Sequence, residues 1–403
     1  MRRTFVLLSL AAMVSIAACS GETPSTLENT PSEGNNGNNN GNTNNTTGGD
    51  QEGVPETPVE KTILDERVVD YSAALRTASL KLVQALPTLQ QIVDVAEATD
   101  KKAAYEAKID EMFADPRFTR RMIKWWKDTM RQGGGGNGDA PSRDTAPVFA
   151  ARVMIEERPF SDIFTATSGT CPTYDGDNNA FVDGNCNNNV PVHAGVLSNP
   201  GVQHQFYSNM AFRRVRWVQE IFVCTKFPAE YSETPIQKGG SEYISPWEFE
   251  TVGNDPINFQ DTSSVICANC HTTMNHVAPL FANFDMNGMW TDQVQVMTPT
   301  TPDAVKTEIS HWLRAGETPS WRLGQATPDL PALGKAIAAD PDVSECAVAR
   351  MWNFAMSKED IVSDLATVPT EVLETYIEEF KSNNMNLKKV LRSMFTSEDF
   401  VRF

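Results

Sequence analysis

Two cysteines and one histidine stand together at Cys267, Cys270 and His271, in the sequence CANCH. This pattern is typical of covalent haem attachment, because two thiols on one turn face the vinyl groups of a porphyrin and the adjacent imidazole faces its iron. With seven cysteines and five histidines in 403 residues, the chance expectation for the pattern is about 0.0015. The sequence therefore predicts one covalent haem c, with His271 as the proximal iron ligand.

Two other chemistries use the same cysteine spacing. A structural zinc site needs four ligands, but the chain has no second Cys-x-x-Cys, which leaves scattered residues such as Cys224 or His276. A thioredoxin-like redox pair is expected after a βαβ pattern, and the preceding DTSSVI is too short and too polar to be one. Haem attachment is therefore the favoured interpretation.

The second axial ligand of the iron stays open between two residues. Met297 stands in the context VMTP, which resembles the methionine loops of small cytochromes, and is our first choice. His311, within the helical pattern AVKTEISHWL, is the alternative. On the proximal side, Pro279 could offer its carbonyl to the second ring nitrogen of His271, or could be a simple turn proline. Two upstream histidines, His193 and His204, also stay open.

The N-terminus has the pattern of an export signal. Arg2 and Arg3 precede an apolar stretch from Phe5 to Ile16, and small residues lead to Cys19 in the sequence IAAC. This resembles the lipobox of bacterial lipoproteins, which implies cleavage before Cys19 and acylation of its thiol; a plain signal peptide is the alternative. We expect a protein of the cell envelope, lipid-anchored on the periplasmic or outer surface of a bacterial membrane. No other uninterrupted apolar run exists, which excludes a polytopic membrane protein.

Composition and periodicity divide the chain into six segments. From Ser20 to Glu60 almost nothing is apolar, which predicts a disordered tether. Apolar residues recur at helical spacing between Thr62 and Gln132 and again in the last hundred residues, so the fold class is mainly α. The predicted segments are a signal peptide (1–18), a disordered tether (19–60), an N-terminal helical module (61–165), an Asn/Asp-rich loop (166–195), a cytochrome-c-like haem-binding region (196–300) and a C-terminal helical module (301–403).

The helical patterns also predict individual positions. Val68, Tyr71 and Leu75 recur at helical spacing, and Val372, Tyr376 and Phe380 share one helical face. Pro116 is expected to separate two helices. Thr370 and Thr396 precede helical patterns and are expected to be N-caps.

Four further cysteines can form disulfides in an exported protein. Cys171 and Cys186 flank the polar excursion TCPTYDGDNNAFVDGNCNNN and are expected to pair. Cys224 and Cys346 then remain, and they either form a long-range disulfide or are two buried free thiols. Oxygen-bearing side chains of the excursion could ligate calcium, but Ala180 stands where a calcium loop needs glycine and no glutamate ends the loop. We interpret the excursion as a solvated acidic loop.

Around CANCH, the chain resembles the planctomycete-type cytochrome C domain proteins, exported haem proteins of largely unknown function. The resemblance extends from about Tyr105 to the C-terminus and depends on MFADPRF, AGVLSNP, RVRWVQEIFVC, NFDMNGMW and DPDVSECAVARMW. It implies haem attachment at CANCH and a haem-flanking turn at Phe284, Asp285 and Gly288. The chain departs from the family after the motif, where it reads MNHVAPLF, and the segment 294–330 looks like an insertion.

Charge limits the partners. The chain has 34 basic and 52 acidic residues and a net charge of -18, which disfavours nucleic acid and favours a basic or cationic redox partner. The predicted function is one-electron transfer at the cell envelope by a lipid-anchored mono-haem cytochrome. The alternatives are an open-site haem enzyme, peroxidase-like or ligand-binding, and an envelope assembly or surface-binding protein with a structural haem.

Overall fold

The computed structural model describes most of the chain beyond the N-terminus. Lys61–Phe403 forms one compact unit. The described residues are 66–138, 140–207, 209–225, 237–238, 241–242, 271, 273–292, 295–298, 301–306, 312–313, 315–322, 324–359 and 368–403. The predicted signal peptide and tether, Cys19, Cys267, Cys270, His311 and the side chain of Met297 lie outside this description.

The fold is mainly α-helical, as predicted. The named strands pair as three antiparallel hairpins: β1 (Thr173–Asp175) with β2 (Ala180–Val182), β3 (Gln237–Lys238) with β4 (Ser241–Glu242), and β5 (Gln295–Thr298) with β6 (Thr301–Lys306). The helices are α1 (Tyr71–Leu82), α2 (Leu89–Glu97), α3 (Lys101–Ala114), α4 (Pro116–Met130), α5 (Thr145–Ile155), α6 (Asp162–Thr165), α7 (Pro200–Gln205), α8 (Phe212–Phe222), α9 (Leu330–Ala338), α10 (Pro341–Ala355), α11 (Thr370–Ser382), α12 (Leu387–Thr396) and α13 (Glu398–Val401).

Local sequence explains where the first helices begin. The Asp70 carboxylate accepts from the second and third amides after it and caps α1. Thr88 and Gln91 form a reciprocal capping box at the start of α2. Asp115 caps α4, and Pro116 occupies its first helical position, where a missing N–H costs nothing. The helix break predicted at Pro116 is confirmed.

The first and last helices share one hydrophobic core. The buried Tyr105 of α3 donates its hydroxyl to the Phe395 carbonyl of α12 at 2.6 Å. The Asp70 amide, before α1, donates to the Val401 carbonyl of α13 at 2.9 Å. Because these contacts join residues about three hundred positions apart, the two ends of the described chain stabilise each other.

Two apolar residues of these helical patterns lie at the surface. Val68 is 67% exposed, and Val372 is 40% exposed. Val68 precedes α1 and exchanges two backbone hydrogen bonds of 3.0 Å with Phe403. Its backbone therefore holds the two ends of the described chain together, while its side chain faces solvent. The apolar pattern that includes Val68 thus begins before α1, which starts at Tyr71.

Both predicted threonine N-caps were wrong by one residue. The N-cap of α11 is Pro369, and Thr370 instead donates its hydroxyl to Glu345 Oε1 at 3.0 Å. Thr396 is the last residue of α12, and Ser397 caps the next helix. In both places a neighbouring residue has the extended backbone that a cap requires.

The predicted short disulfide is confirmed, and of the two alternatives for the other cysteines the long-range disulfide is present. Cys171 pairs with Cys186 around the β1–β2 hairpin, and Cys224, after α8, pairs with Cys346 of α10. In the first loop, the Asp175 carboxylate accepts from two amides further along its own turn, so it closes a turn, as expected of a solvated loop. No helix in the described part of the chain is long and apolar enough to span a membrane.

Candidate functional site

His271 begins a short helical stretch, residues 271 and 273–277, which we call the His271 helix. Its Nδ1 lies 3.2 Å from Oδ1 of Asn275, one turn further along. Its ring meets Phe212 of α8 edge to face, with centroids 5.2 Å apart and planes at 88°. The imidazole is half-buried, whereas Asn275 is only 1% exposed. The ring is therefore oriented from two sides, by its own helix and by α8.

The contact with Asn275 defines the tautomer of His271. An amide oxygen only accepts hydrogen bonds, so Nδ1 must carry the proton, and in the neutral ring Nε2 then carries the lone pair. An imidazole that ligates haem iron needs this arrangement, with one nitrogen held by the protein and the other basic. The described surroundings of His271 therefore fit the role of an axial haem ligand.

Pro279 does not make the predicted contact with the imidazole. Its carbonyl accepts from the Ala282 amide at 3.2 Å, within the 3-10 turn Ala278–Phe281. The alternative, a turn proline, describes it correctly. A side-chain amide on the same helix replaces the expected backbone carbonyl.

Phe212 is held in place by an unusual segment before α8. Met210 and Ala211 both have left-handed backbone, with φ of 53° and 61°. Such conformations cost about 1–3 kcal/mol each for residues other than glycine and persist where the surroundings enforce them. The indole N–H of Trp312, which is 1% exposed, donates to the Met210 carbonyl at 3.0 Å. Strand β5, which includes Met297, packs against the same segment.

Arg214 of α8 clamps the chain that follows the His271 helix. It is 1% exposed and donates to the carbonyls of Gln203 and Phe281 at 2.7 Å. Longer bonds of 3.2 and 3.3 Å reach the carbonyls of Phe284 and Asp285. Burial lowers the pKa of Arg214 to about 9, yet the guanidinium stays charged at neutral pH. Its guanidinium group thus links α7 to the turn at 281–285 through hydrogen bonds.

The predicted haem-flanking turn packs directly on the segment AGVLSNP. Gly288 has a φ of +73°, and a Cβ there would lie 2.3 Å from the Pro200 carbonyl oxygen. The buried Asn188 side chain donates to the Ser198 carbonyl at 2.8 Å, and the backbone carbonyl of Asn188 accepts from the Trp290 amide at 2.8 Å. Close packing between AGVLSNP and the turn therefore accounts for the residue types in both segments.

Three other histidines have protein partners. His204 Nδ1 lies 2.6 Å from the Met286 carbonyl oxygen, and His193 Nδ1 lies 3.3 Å from the Ser198 hydroxyl. Burial lowers the pKa of His193. The buried His276 places Nε2 at 3.4 Å from a Glu317 carboxylate oxygen. Across the described ranges, no three His, Cys, Asp or Glu residues come together in a group that could hold a metal ion.

Sequence reasoning missed the two contacts that orient His271. Asn275 could have been found, because positions i and i+4 on a helix face each other. Phe212 lies far away in sequence and gave no local signal. Cys267, Cys270 and His311, and the side chain of Met297, lie outside the described residues, so the thiols and the second axial ligand stay predictions.

Comparison with known families corrects the predicted resemblance. Residues 56–167, which include α1 to α6, match the family model described as "PSCyt2: Protein of unknown function (DUF1549)". That range ends well before CANCH, and no cytochrome c family matches, so the resemblance to planctomycete-type cytochrome C domain proteins was wrong. No curated protein and no solved structure matches the chain.

Proposed function

We propose that this protein is an exported, lipid-anchored, mono-haem c-type cytochrome that transfers single electrons at the cell envelope. The observation that carries the proposal is the CANCH motif. The geometry of His271 supports it, because this imidazole has a defined tautomer and an aromatic neighbour. The two disulfides also support it, because disulfides persist in oxidising compartments outside the cytosol.

The residues of the chain have distinct roles in this proposal. Cys267 and Cys270 would hold the haem covalently, and His271 would ligate its iron through Nε2. Bound haem supplies a one-electron redox couple. Asn275 keeps the proton on Nδ1 and fixes the ring plane. Phe212 packs edge to face with the imidazole and helps to orient it.

The net charge and the N-terminal tether bear on where this cytochrome would act and on the partner it would meet. Acylation of Cys19 would anchor the chain, and the Asn/Gly-rich stretch would hold the folded unit away from the membrane. A coil of about 40 residues has a root-mean-square reach of roughly 35 Å. The net charge of -18 would speed encounter with a basic or cationic redox partner and repel nucleic acid.

Haem staining of the denatured protein tests the central proposal. Wild-type protein from cells competent in haem attachment should keep its haem, and Cys267→Ser with Cys270→Ser should lose it. Cys171→Ser with Cys186→Ser is the matched control, because it also removes two cysteines but should leave the stain intact. A colourless wild-type band would refute the proposal.

Absorption spectra separate the electron carrier from an open-site haem enzyme. If Met297 is the second ligand, the ferric protein should be low-spin, and Met297→Ala should make it high-spin and reactive with azide or carbon monoxide. If His311 is the ligand, only His311→Ala should do so. A wild-type protein that is already high-spin and binds azide would favour the enzyme. Membrane fractionation tests the anchor, since Cys19→Ser should release the protein from membranes.

A further inference from the structure

Phe212, whose ring meets the His271 imidazole, is the first residue of α8, and this helix begins in an unusual way. An N-cap residue normally has extended backbone and a side-chain oxygen that accepts from the first turn. Here the N-cap is Ala211, which has no such oxygen and whose backbone is left-handed. Met210 before it is left-handed as well. The contacts of residues 210 and 211 therefore decide where Phe212 lies.

Trp312 makes a buried hydrogen bond to this segment. Trp312 and Met210 are each 1% exposed, and the indole N–H donates to the Met210 carbonyl at 3.0 Å. A buried carbonyl without a donor is unfavourable, and left-handed backbone is unfavourable for residues other than glycine. The indole bond therefore offsets strain that the segment carries. Without it, the carbonyl would turn towards another donor and the backbone at 210–211 would relax.

The chain beyond Trp312 also reaches the His271 helix. The Ser320 amide donates to the His276 carbonyl at 3.0 Å, at the far end of that helix. A Glu317 carboxylate oxygen lies 3.4 Å from Nε2 of His276. The stretch that begins at Trp312 thus contacts both the helix that carries the imidazole and the segment that places its aromatic neighbour.

We propose that Trp312 is a positioning residue for His271. The indole holds Met210 and Ala211 in the left-handed conformation. This conformation places Phe212 against the imidazole, and the ring contact sets the direction in which Nε2 points. The consequence for haem rests on the proposed function, because the direction of Nε2 matters to iron only when iron is bound there. The contact between the two rings belongs to the chain itself.

A purely structural role for Trp312 makes a different prediction. If the indole only filled core volume, Trp312→Phe would lower the free energy of unfolding without moving the imidazole. Trp217 is a matched control, because it is also buried and its indole N–H donates to the Met130 carbonyl at 2.9 Å. Trp217→Phe should lower stability in the same way and leave the imidazole of His271 unchanged.

NMR of the full-length protein with isotope-labelled histidine tests the proposal. The protein is reduced under carbon monoxide, which keeps haem iron diamagnetic whether or not the chain supplies a second ligand. The ring current of Phe212 shifts the ring protons of His271, so Phe212→Leu defines the signal of this contact. Trp312→Phe should shift the same protons, and adding it to Phe212→Leu should cause no further shift, because both changes act through one contact.

Glycine at position 211 tests the backbone route. Glycine adopts positive φ without the cost that alanine has, so the left-handed conformation would depend less on the indole bond. Combining Ala211→Gly with Trp312→Phe should return the His271 ring protons towards their wild-type shifts. Because the core volume lost with the indole is not restored by glycine, a purely structural role predicts no such recovery.

These measurements decide the proposal. A proton shift in Trp312→Phe that is absent in Trp217→Phe, absent when Phe212 is already leucine, and reversed by Ala211→Gly supports it. Unchanged protons in folded Trp312→Phe, an equal shift in Trp217→Phe, a shift that adds to that of Phe212→Leu, or no recovery with Ala211→Gly would overturn it.

Two further provisions keep the test decisive. If Trp312→Phe does not fold, benzothienylalanine takes the place of Trp312, since it has the shape of tryptophan with sulfur instead of the N–H, and the same outcomes apply. If the wild-type protein holds no haem, the proposed function fails, but the histidine spectra of the colourless protein still test the role of Trp312.

Discussion

The long disulfide should contribute more to stability than the short one. Cys224 and Cys346 are 122 residues apart, and Cys171 and Cys186 are 15 apart. Cross-linking restricts the unfolded chain in proportion to the logarithm of the loop length, which gives about 5 kcal/mol for the long loop and about 3 kcal/mol for the short one. We therefore expect Cys224→Ser with Cys346→Ser to lower the free energy of unfolding by about 2 kcal/mol more than Cys171→Ser with Cys186→Ser.

Urea unfolding followed by tryptophan fluorescence measures this difference. Trp125 and Trp126 line the same small internal cavity as Cys346, so their emission reports on the core beside the long disulfide. The matched control is the short-loop variant, which has the same number of substitutions. If the short-loop variant lost as much stability as the long-loop variant, or more, the reasoning from loop length would be refuted and local packing around each bridge would be the dominant effect.

Three smaller changes test the region around His271. Asn275→Leu should raise the reduction potential of the bound haem by roughly tens of mV, because the imidazole becomes less basic without its hydrogen-bond acceptor. Asn275→Asp should lower the potential. A redox titration that shows no difference between the variants would contradict the role of this amide. Arg214→Lys should cost about 2–4 kcal/mol in urea unfolding, since one ammonium cannot replace a fork that reaches four carbonyls, and Arg213→Lys, its exposed neighbour, should be neutral. Gly288→Ala should destabilise more than Gly316→Ala, because both have positive φ but only Gly288 faces a carbonyl oxygen at close range.

Local sequence signals predicted the helical class well. The helix break at Pro116 and the helical spacing of apolar residues are local signals. They can therefore be recognised without knowing the fold. Spacing alone does not show which apolar residues are buried, since Val68 and Val372 follow helical patterns and are exposed. The caps predicted at Thr370 and Thr396 were wrong by one residue, because the neighbouring Pro369 and Ser397 have the extended backbone of a cap.

The candidate site was predicted in part. Spacing alone predicted a site at His271 and its two neighbouring thiols, and the thiols lie outside the described residues. Asn275 follows a helical spacing that a closer reading could have used. Phe212 and Arg214 could not be predicted, because each acts through contacts between segments that are distant along the chain. Long-range contacts of this kind leave no periodic pattern in a single sequence.

The mistaken family resemblance has a physical explanation. AGVLSNP and NFDMNGMW supported it as short motifs in a particular order, yet in the structure they pack against each other through Gly288 and Pro200. A glycine with positive φ against a carbonyl, and an asparagine that bonds two backbone segments, meet demands of close packing that are general to proteins. Such motifs therefore do not identify a family by themselves. Of the sequence evidence, CANCH alone specifies chemistry, so the haem proposal depends on those five residues and on the imidazole geometry that accompanies them.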